Sequence, residues 1–231
     1  MPTQEEIYKT EAEKFEALIT REDYQGNIIR ALLEMAPLEN QVVYDLGTGT
    51  GRLACLLASH VSRIRAFDIS EEMLRVCRQK LTTSGLTNWR VDVADHRQLP
   101  VDDASADLVV SGWSVSYLAV WNPDSWRIEL EKWLGEMKRV LTAGSFIVLF
   151  ESLGTGNESP IKLDHLKDFY SWLDEIGFDY KWIRTDYRFD SLEEAEYLSR
   201  FFFGDDLGDK VKQNNWVVLP ECTGVWRKQM V

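Results

Sequence analysis

The chain has 231 residues, 45% of them hydrophobic and 28% charged, a composition that predicts a globular domain rather than a disordered chain. Its formal net charge of −12 repels phosphate backbones and anionic membrane surfaces, which argues against nucleic acid as a partner. Cys55, Cys77 and Cys222 lie far apart and the histidines are equally scattered, so neither a metal site nor a disulfide framework is expected.

The amino-terminal residues MPTQEEIYKT are polar and acidic, without the basic and then apolar pattern of a signal peptide. No apolar stretch approaches the roughly 20 residues that a membrane span needs. The few dispersed cysteines fit a reducing compartment. Together these features predict a cytoplasmic protein without a membrane span, and they leave its oligomeric state open.

The first half of the chain alternates between helical and strand patterns. Apolar residues recur at helical spacing over residues 4–36, and Pro37 ends this helical region. The run QVVYDLG then predicts a strand, followed by a helix over residues 51–60 and a second strand in RIRAFDIS. Ser70 is the expected N-cap of a helix that stops at Gly85.

The same alternation continues in the middle of the chain. NWRVDVAD and ADLVVSGW predict a third and a fourth strand, Asn122 and Pro123 open a helix that Gly144 ends, and SFIVLFE predicts a fifth strand. Repeated strands and helices in this order are typical of an α/β fold with a doubly wound, mostly parallel sheet and helices on both faces.

The C-terminal part changes character. An apolar helical face over residues 166–176 precedes the strand-like segment FDYKWIRTDYRF. Ser191 and Glu194 form a capping box that begins another helix. NNWVVLPECTGVWRKQ predicts a last strand, in which Pro220 marks an edge or a bulge. These two strands bring the predicted Rossmann-like sheet to seven.

The chain shows no repeat, low-complexity tract or linker that would separate two domains. We therefore expect one domain over residues 1–231, with an N-terminal helical lid (1–40), a cofactor-binding core (41–151) and a C-terminal part (152–231). The helix-rich insertion near 191–213 is expected to complete the lid.

A glycine-rich turn, DLGTGTGR, follows the first predicted strand. Gly47, Gly49 and Gly51 permit positive φ and close approach of a ligand, at the end of a strand where doubly wound sheets bind ligands. The G-x-G-x-G spacing is one residue shorter than the dinucleotide fingerprint G-x-G-x-x-G. Asp45 would repel a pyrophosphate and instead suits a positively charged ligand. The turn therefore predicts a site for a cationic ligand of nucleoside size.

The segment VYDLGTGTG closely resembles the first motif of class I S-adenosylmethionine-dependent methyltransferases, and the resemblance continues in order over about residues 40–151. It implies S-adenosylmethionine as the cofactor. Methyl transfer from a sulfonium is an in-line displacement with a good, neutral leaving group, so such an enzyme works mainly by aligning the reactants and excluding water. The family has no universal catalytic residue, and none is predicted here.

The resemblance also implies which residues bind the cofactor. Asp68, which ends the second strand in FDIS, would bond both ribose hydroxyls, and a carboxylate facing two hydroxyls is a good bidentate match. Asp95 would accept from the adenine amino group, and the backbone of His96 would face the ring. The full predicted set is Asp45, Gly47, Thr48, Gly49, Gly51, Asp68, Ile69, Asp95, His96, Ser111 and Gly112.

The layout resembles the small-molecule branch of the family, which includes the ubiquinone and menaquinone methyltransferases, so the expected partner is a small-molecule methyl acceptor. Specificity should come from WSVSYLAVWN, SLGTGNESP and SLEEAEYLSRFFFGDDLGDKVKQ, outside the matching motifs. The aromatic residues that suit an apolar pocket there are Trp113, Tyr117, Trp121, Phe201, Phe202 and Phe203. The candidate polar contacts, among which the sequence does not choose, are Tyr117, Glu151, His165 and Arg200.

Two other functions stay open at the level of sequence. One is an NAD(P)-dependent oxidoreductase on a similar fold, against which the glycine spacing and the Asp95 segment count. The other is a non-catalytic member that binds S-adenosylmethionine and acts as an interaction module. Intact cofactor-binding residues favour cofactor binding, but they do not prove that an acceptor site exists.

Overall fold

A seven-stranded sheet forms the centre of the computed structural model, which describes residues 3–230. The strands are β1 (Val42–Leu46), β2 (Arg63–Asp68), β3 (Trp89–Val93), β4 (Ala106–Gly112), β5 (Leu141–Thr155), β6 (Asp179–Arg184), β7 (Tyr187–Arg188), β8 (Val218–Leu219) and β9 (Glu221–Gln229). The order across the sheet is β3-β2-β1-β4-β5-β9-β6, and β7 pairs with β8 separately. β9 runs antiparallel to the other six strands of this sheet. The predicted doubly wound, mostly parallel fold is therefore confirmed.

Helices cover both faces of the sheet. They are α1 (Gln4–Thr10), α2 (Ala12–Ile19), α3 (Asn27–Met35), α4 (Arg52–Leu57), α5 (Glu71–Thr83), α6 (Tyr117–Val120), α7 (Trp126–Val140), α8 (Lys167–Glu175), α9 (Leu192–Phe203) and α10 (Asp205–Gln213). None of these helices, which belong to the described range, is long and apolar enough to cross a bilayer.

Alternation along the strands builds a separate core on each face. Tyr44 and Leu46 of β1 face one core, where Trp133 of α7 and Trp172 of α8 are almost fully buried. Val43 faces the other core, which α3, α4 and α5 cover. Because a fully buried large apolar side chain contributes about 1.5–3 kcal/mol, these two cores fix the sheet as a rigid platform.

The chain reverses its progress across the sheet at β1 and β4. From β1 it moves outward through β2 and β3, and then it returns to place β4 on the other side of β1, with Asp45 beside Val110. Because both strands are parallel, their carboxyl ends lie at the same edge and the loops that follow diverge. This edge is the expected ligand-binding crevice of the fold.

The N-terminal helices have two different roles. Tyr8, Ala12 and Phe15 of α1 and α2 pack against α5 at the ligand-binding edge. By contrast, Ile28 and Leu32 of α3 belong to the core under the sheet. Within the expected lid over residues 1–40, α3 is thus part of the core, whereas α1 and α2 lie at the ligand-binding edge.

The turn between α2 and α3 interrupts the helix that the sequence predicted over residues 4–36. Asp23 takes a positive φ of 56°, and its carboxylate accepts from the amides of Asn27 and Ile28 at 2.7 and 2.9 Å. These bonds satisfy the first free N–H groups of α3. The helical spacing was read correctly, but the capping acid inside it was missed.

The C-terminal strands also differ from the prediction. The segment predicted as one strand is split, since β6 joins the main sheet and β7 leaves it for the separate pair with β8. The last strand, β9, lies between β5 and β6, so the edge position that Pro220 suggested is wrong. Pro220 instead lies between β8 and β9, where it separates two strands that the sequence predicted as one.

Gly51→Ala should destabilise the fold more than Gly85→Ala. Both glycines have positive φ, which costs an alanine about 1–2 kcal/mol. A methyl group on Gly51 would lie 2.6 Å from the buried Cys77 Sγ, whereas nothing lies within 4 Å of one on Gly85. We expect losses of about 3 kcal/mol or more and about 1 kcal/mol, measured by urea unfolding. Equal losses would show that α4 and α5 do not constrain Gly51.

Candidate functional site

A cavity of about 910 Å³ opens at the carboxyl edge of the sheet. It is bounded by the glycine turn, the ends of β2 and β4, and the helices α1, α6, α9 and α10. Of the predicted cofactor-binding residues, Asp45, Gly47, Thr48, Gly49, Asp68, Ile69, Asp95, His96 and Gly112 line it. Gly51 and Ser111 stand outside the lining, and their direct contact with a ligand stays a prediction that the cavity does not support.

The three glycines of the turn serve three different purposes. A Cβ on Gly47 would overlap the Ser114 hydroxyl at 1.8 Å, so this glycine lets the loop after β4 approach. Gly51 is needed for the contact of α4 with Cys77 described above. At Gly49 the nearest atom to an added Cβ is 3.9 Å away on Phe15. Only at Gly49 does the missing side chain leave space that a ligand can use.

Asp45 orders the glycine turn from beneath. Its side chain is 1% exposed, and the Thr48 hydroxyl donates to its Oδ2 at 2.6 Å. Burial raises the pKa of Asp45 to about 7. Its Oδ1 has no hydrogen-bond partner among the described residues, and the carboxyl group adds negative potential below the turn when it is ionised.

Asp68 holds the turn from the neighbouring strand. Gly49 N donates to its Oδ2 and Ser70 N to its Oδ1, both at 2.8 Å. Each carboxylate oxygen still has a free lone pair, so the group can accept two further hydrogen bonds from a ligand. Ile69, which is 65% exposed, flanks this carboxylate on the cavity wall.

The Asp95 carboxylate already has a hydrogen-bond partner within the protein, and the His96 imidazole carries no charge. Arg97 donates to Asp95 Oδ1 from its amide and its Nε at 2.8 and 2.9 Å, and this guanidinium lowers the pKa of Asp95. Any adenine contact must share the carboxylate with Arg97. Burial lowers the pKa of His96 to about 4, so the imidazole is neutral at pH 7.

Ser111 and Gly112 end β4 next to the turn. The Ser111 hydroxyl donates to the carbonyl of Leu46 at 2.7 Å, which ties β4 to β1. An added Cβ on Gly112 would meet Leu53 at 3.1 Å. Ser111 therefore supports the strands, while Gly112 forms part of the cavity surface.

Aromatic side chains form much of the remaining wall. Trp113 takes a positive φ of 50°, and the Arg52 guanidinium lies 4.0 Å from its ring centre. The hydroxyls of Tyr8 and Tyr117 share a hydrogen bond of 2.8 Å, which joins α1 to α6 across the cavity. The predicted aromatics that line the cavity are Trp113, Tyr117, Trp121, Phe202 and Phe203. Phe201 instead packs under Lys14, 4.0 Å from its ring centre.

Three buried carboxyl groups, Glu22, Glu151 and Glu221, line the cavity as well, and we call this group the acidic end. Ser116 donates to Glu151 from its amide and hydroxyl at 3.0 and 2.8 Å, and burial raises the pKa of Glu151 to about 7. Ser152 Oγ donates to Glu221 at 2.7 Å, and burial raises the pKa of Glu221 to about 8.

The acidic end contains residues that the sequence analysis missed. Glu151 was a candidate, but Glu22 and Glu221 were not, and neither was Arg52, which pairs with Glu22 at 2.5 Å. The one signal for Glu221 in the sequence was that it is the lone acidic residue of the last predicted strand, directly after Pro220. The two other polar candidates lie in different places. His165 lines the cavity, whereas Arg200 of α9 pairs with Asp205 and Asp209 of α10.

Comparison with known proteins identifies the domain around this cavity. Residues 44–149 match the family described as methyltransferase domain. The chain is 29% identical over 177 residues to the malonyl-[acyl-carrier protein] O-methyltransferase of Marinomonas sp. (strain MWYL1), covering 75% of this chain and 59% of the relative. It is 34% identical over 117 residues to the demethylmenaquinone methyltransferase of Clavibacter sepedonicus, covering 51% and 43%. Over residues 44–149, therefore, this chain is similar to methyltransferases.

A solved structure shares the fold of this chain. A putative methyltransferase from Bacillus halodurans superposes with a TM-score of 0.58 at 19% identity, covering 88% of this chain and 98% of that one. At this identity the likeness shows a common fold and no more. The chain spans about half the length of the curated relatives it matches. The matched domain covers less than half of the chain, so the chemistry of this protein has to be argued from the cavity.

Glu221→Gln should make the stability of this protein less dependent on pH. The folded state keeps the Glu221 proton up to about pH 8, whereas the unfolded chain releases it near its usual pKa of 4.5. Between these values the folded state binds more protons, so the free energy of unfolding falls as pH rises. The glutamine removes this loss, and we expect the variant to gain about 2 kcal/mol or more relative to the wild type between about pH 4.5 and pH 9.

Urea unfolding at the two pH values measures this gain. Glu193→Gln, at an exposed position on α9, removes the same charge and should show no such change with pH. A constant difference between Glu221→Gln and the wild type at both values would contradict the raised pKa of Glu221.

Proposed function

We propose that this protein is an S-adenosylmethionine-dependent methyltransferase that acts on a small-molecule acceptor. The observation that carries the proposal is the state of the glycine turn. The amides of Thr48, Gly49 and Gly51 already donate to Phe67 O, Asp68 Oδ2 and Thr48 O. The turn therefore offers few N–H groups to a phosphate, while Asp68 offers free acceptor sites to hydroxyl groups.

The residues of the cavity fit this cofactor. Asp68 has the lone pairs to accept from both ribose hydroxyls, and the open space above Gly49 admits a chain that passes close to the backbone. Around the cavity, carboxyl groups outnumber Lys and Arg side chains two to one within the described residues. This negative excess favours a cofactor that carries an ammonium and a sulfonium. Asp95 and the backbone of His96 are proposed to meet the adenine, with Asp95 shared with Arg97.

The chemistry needs alignment more than proton transfer. When bound, S-adenosylmethionine supplies a methyl group on a cationic sulfur. The aromatic wall around Trp113 excludes water, and the hydrogen bond between Tyr8 and Tyr117 closes the cavity from above. Holding an acceptor in line behind this wall converts a bimolecular reaction into a unimolecular one. No residue of the cavity has to change its protonation state unless the acceptor itself loses a proton.

The two alternative functions fit the cavity less well. A nicotinamide cofactor carries a pyrophosphate, which the occupied amides and the buried Asp45 disfavour. A non-catalytic binding module needs no space beyond the cofactor. Here the cavity includes the acidic end, which the predicted cofactor contacts do not use. This extra, chemically specific space supports an enzyme with an acceptor site.

The acceptors in the names of two relatives are useful here only for comparison with the acidic end of this cavity. By their names, one relative acts on malonyl-[acyl-carrier protein] and the other on demethylmenaquinone. A carboxylate acceptor would oppose the ionisation of Glu151 and Glu221 further, and a quinone offers no positive charge to either group. We therefore propose a small molecule of different chemistry as the acceptor.

We further propose that α1, α2 and the insertion at 191–213 act as the lid over the core at 41–151. Tyr8, Phe15 and Phe202 support this role, because their rings pack together with centres 5.3–6.4 Å apart above the cavity. A cytoplasmic location and the absence of nucleic acid partners rest on composition and charge and are proposed on that ground.

Calorimetric titration with S-adenosylhomocysteine and, separately, with NADH tests the proposed function. Micromolar binding of S-adenosylhomocysteine alone is expected, because it shares the ribose and amino-acid groups that the turn and Asp68 recognise. Binding of NADH alone would overturn the proposal and favour the oxidoreductase.

Asp68→Ala should weaken S-adenosylhomocysteine binding by about 10- to 100-fold. It removes charge-assisted hydrogen bonds worth about 1.5–3 kcal/mol. Asp179→Ala, at an exposed position at the start of β6, is the matched control and should bind like the wild type. Unchanged affinity in Asp68→Ala, measured by calorimetry, would remove Asp68 from the site.

A further inference from the structure

The acidic end holds two carboxyl groups whose hydrogen bonding is incomplete. Glu221 is 2% exposed and Glu22 is 8% exposed, and both line the cavity. Glu221 Oε2 and Glu22 Oε1 have no hydrogen-bond partner among the described residues. A buried acceptor without a partner costs about 1–3 kcal/mol, and more when it is charged. Such atoms, aimed into a cavity, indicate a missing donor.

The nearby cation accounts for one of these two carboxyl groups. Arg52 donates to Glu22 Oε2 at 2.5 Å, and its guanidinium also covers Trp113. Glu221 has only the neutral Ser152 hydroxyl on its other oxygen. The Tyr187 hydroxyl also faces this pair and interacts with Glu22, and burial together with the two carboxyl groups raises the pKa of Tyr187 well above its usual value. One negative charge is therefore left without a counter-charge when both glutamates are ionised.

The described side chains at the acidic end do not indicate a metal ion as the missing partner. Within residues 3–230, no group of three or more His, Cys, Asp or Glu side chains is arranged to hold one. A neutral hydroxyl could donate a hydrogen bond but would leave the charge uncompensated. An alkylammonium group supplies both the positive charge and up to three N–H donors.

We propose that the acidic end binds a cationic amine carried by the methyl acceptor, with the ammonium group donating to Glu221 Oε2 and Glu22 Oε1. This inference rests on the proposed function in one respect, namely that the cavity receives an acceptor beside the cofactor. The aromatic side chains Trp113, Tyr187 and Phe203 on the same cavity wall suit the apolar part of such a molecule.

Binding of the amine is coupled to the ionisation of Glu221. Without a counter-charge Glu221 keeps its proton at neutral pH, because its pKa is raised to about 8. The ionisable groups that face it from the neighbouring elements are Glu22, Arg52, Glu151, Tyr170, Asp186 and Tyr187. An ammonium group favours the carboxylate form, so affinity should rise as pH increases to about 9. Alkylamines stay protonated over this range, since their pKa is close to the value of about 10.4 for lysine.

The test uses two pairs of probes that differ only in charge. Phenethylamine is compared with 2-phenylethanol, and butylamine with butanol, by calorimetric titration with and without S-adenosylhomocysteine. We expect at least one amine to bind at least tenfold more tightly than its alcohol at about pH 9, and about tenfold more weakly at pH 7 than at pH 9. The alcohols should show no dependence on pH. No preference for either amine overturns the inference.

Two variants locate the effect. Glu221→Gln should remove at least tenfold of the amine affinity and leave the alcohols unchanged, while Glu193→Gln on the lid surface should change neither. Unaltered affinity for S-adenosylhomocysteine shows that Glu221→Gln is folded. An amine preference that survives in Glu221→Gln overturns the assignment to the acidic end, and the wild-type comparison stands even if this variant does not fold.

The outcomes separate this inference from the proposed function. Binding of S-adenosylhomocysteine without any amine preference refutes the amine site and keeps the methyltransferase. An amine preference that depends on Glu221, without binding of S-adenosylhomocysteine, supports the amine site and refutes the methyltransferase.

Discussion

The carboxylate of Asp68 is the interaction on which the arrangement of the site depends. Its two oxygens accept from Gly49 N in the turn after β1 and from Ser70 N at the start of α5. Ser70 Oγ then donates to the carbonyl of Tyr8 at 2.6 Å, and the Tyr8 hydroxyl bonds that of Tyr117. One short chain of hydrogen bonds thus links the glycine turn, the sheet, α1 and α6. A ligand that engages Asp68 would contact the carboxylate that connects the glycine turn with α1 and α6.

The buried ionisable groups that would serve a ligand in this cavity reduce the stability of the fold. Burial raises the pKa of Asp45, Glu151 and Glu221 to about 7 or 8, so each of these groups is harder to ionise than in water. A fold selected for stability alone would replace them with apolar side chains of similar size. Their clustering around one cavity is the pattern expected where ionisable groups serve a ligand. The two sheet cores, which are almost entirely apolar, supply stability that offsets the cost of burying these groups.

The sequence predicted the core better than the periphery, and the reason is the range of the interactions. The doubly wound, mostly parallel sheet is indicated by local alternation of strands and helices, and Asp68 and the glycine turn lie within a contiguous, recognisable segment. The capping of α3 by Asp23 is also local but was hidden within continuous helical spacing. The split between β6 and β7 depends on which distant strand each one pairs with, and no local pattern reports that.

The acidic end shows the same limit at the level of single residues. Glu22 lies in a turn after α2, Glu151 in β5 and Glu221 at the first position of β9. They converge because β9 is antiparallel: its beginning, not its end, lies at the ligand-binding edge, where Glu221 pairs with Thr155 of β5. The parallel strands contribute residues from their carboxyl ends, which sequence motifs capture. The reversed strand contributes its first residue, so Glu221 enters the cavity where the repeating pattern of parallel strands and helices is broken.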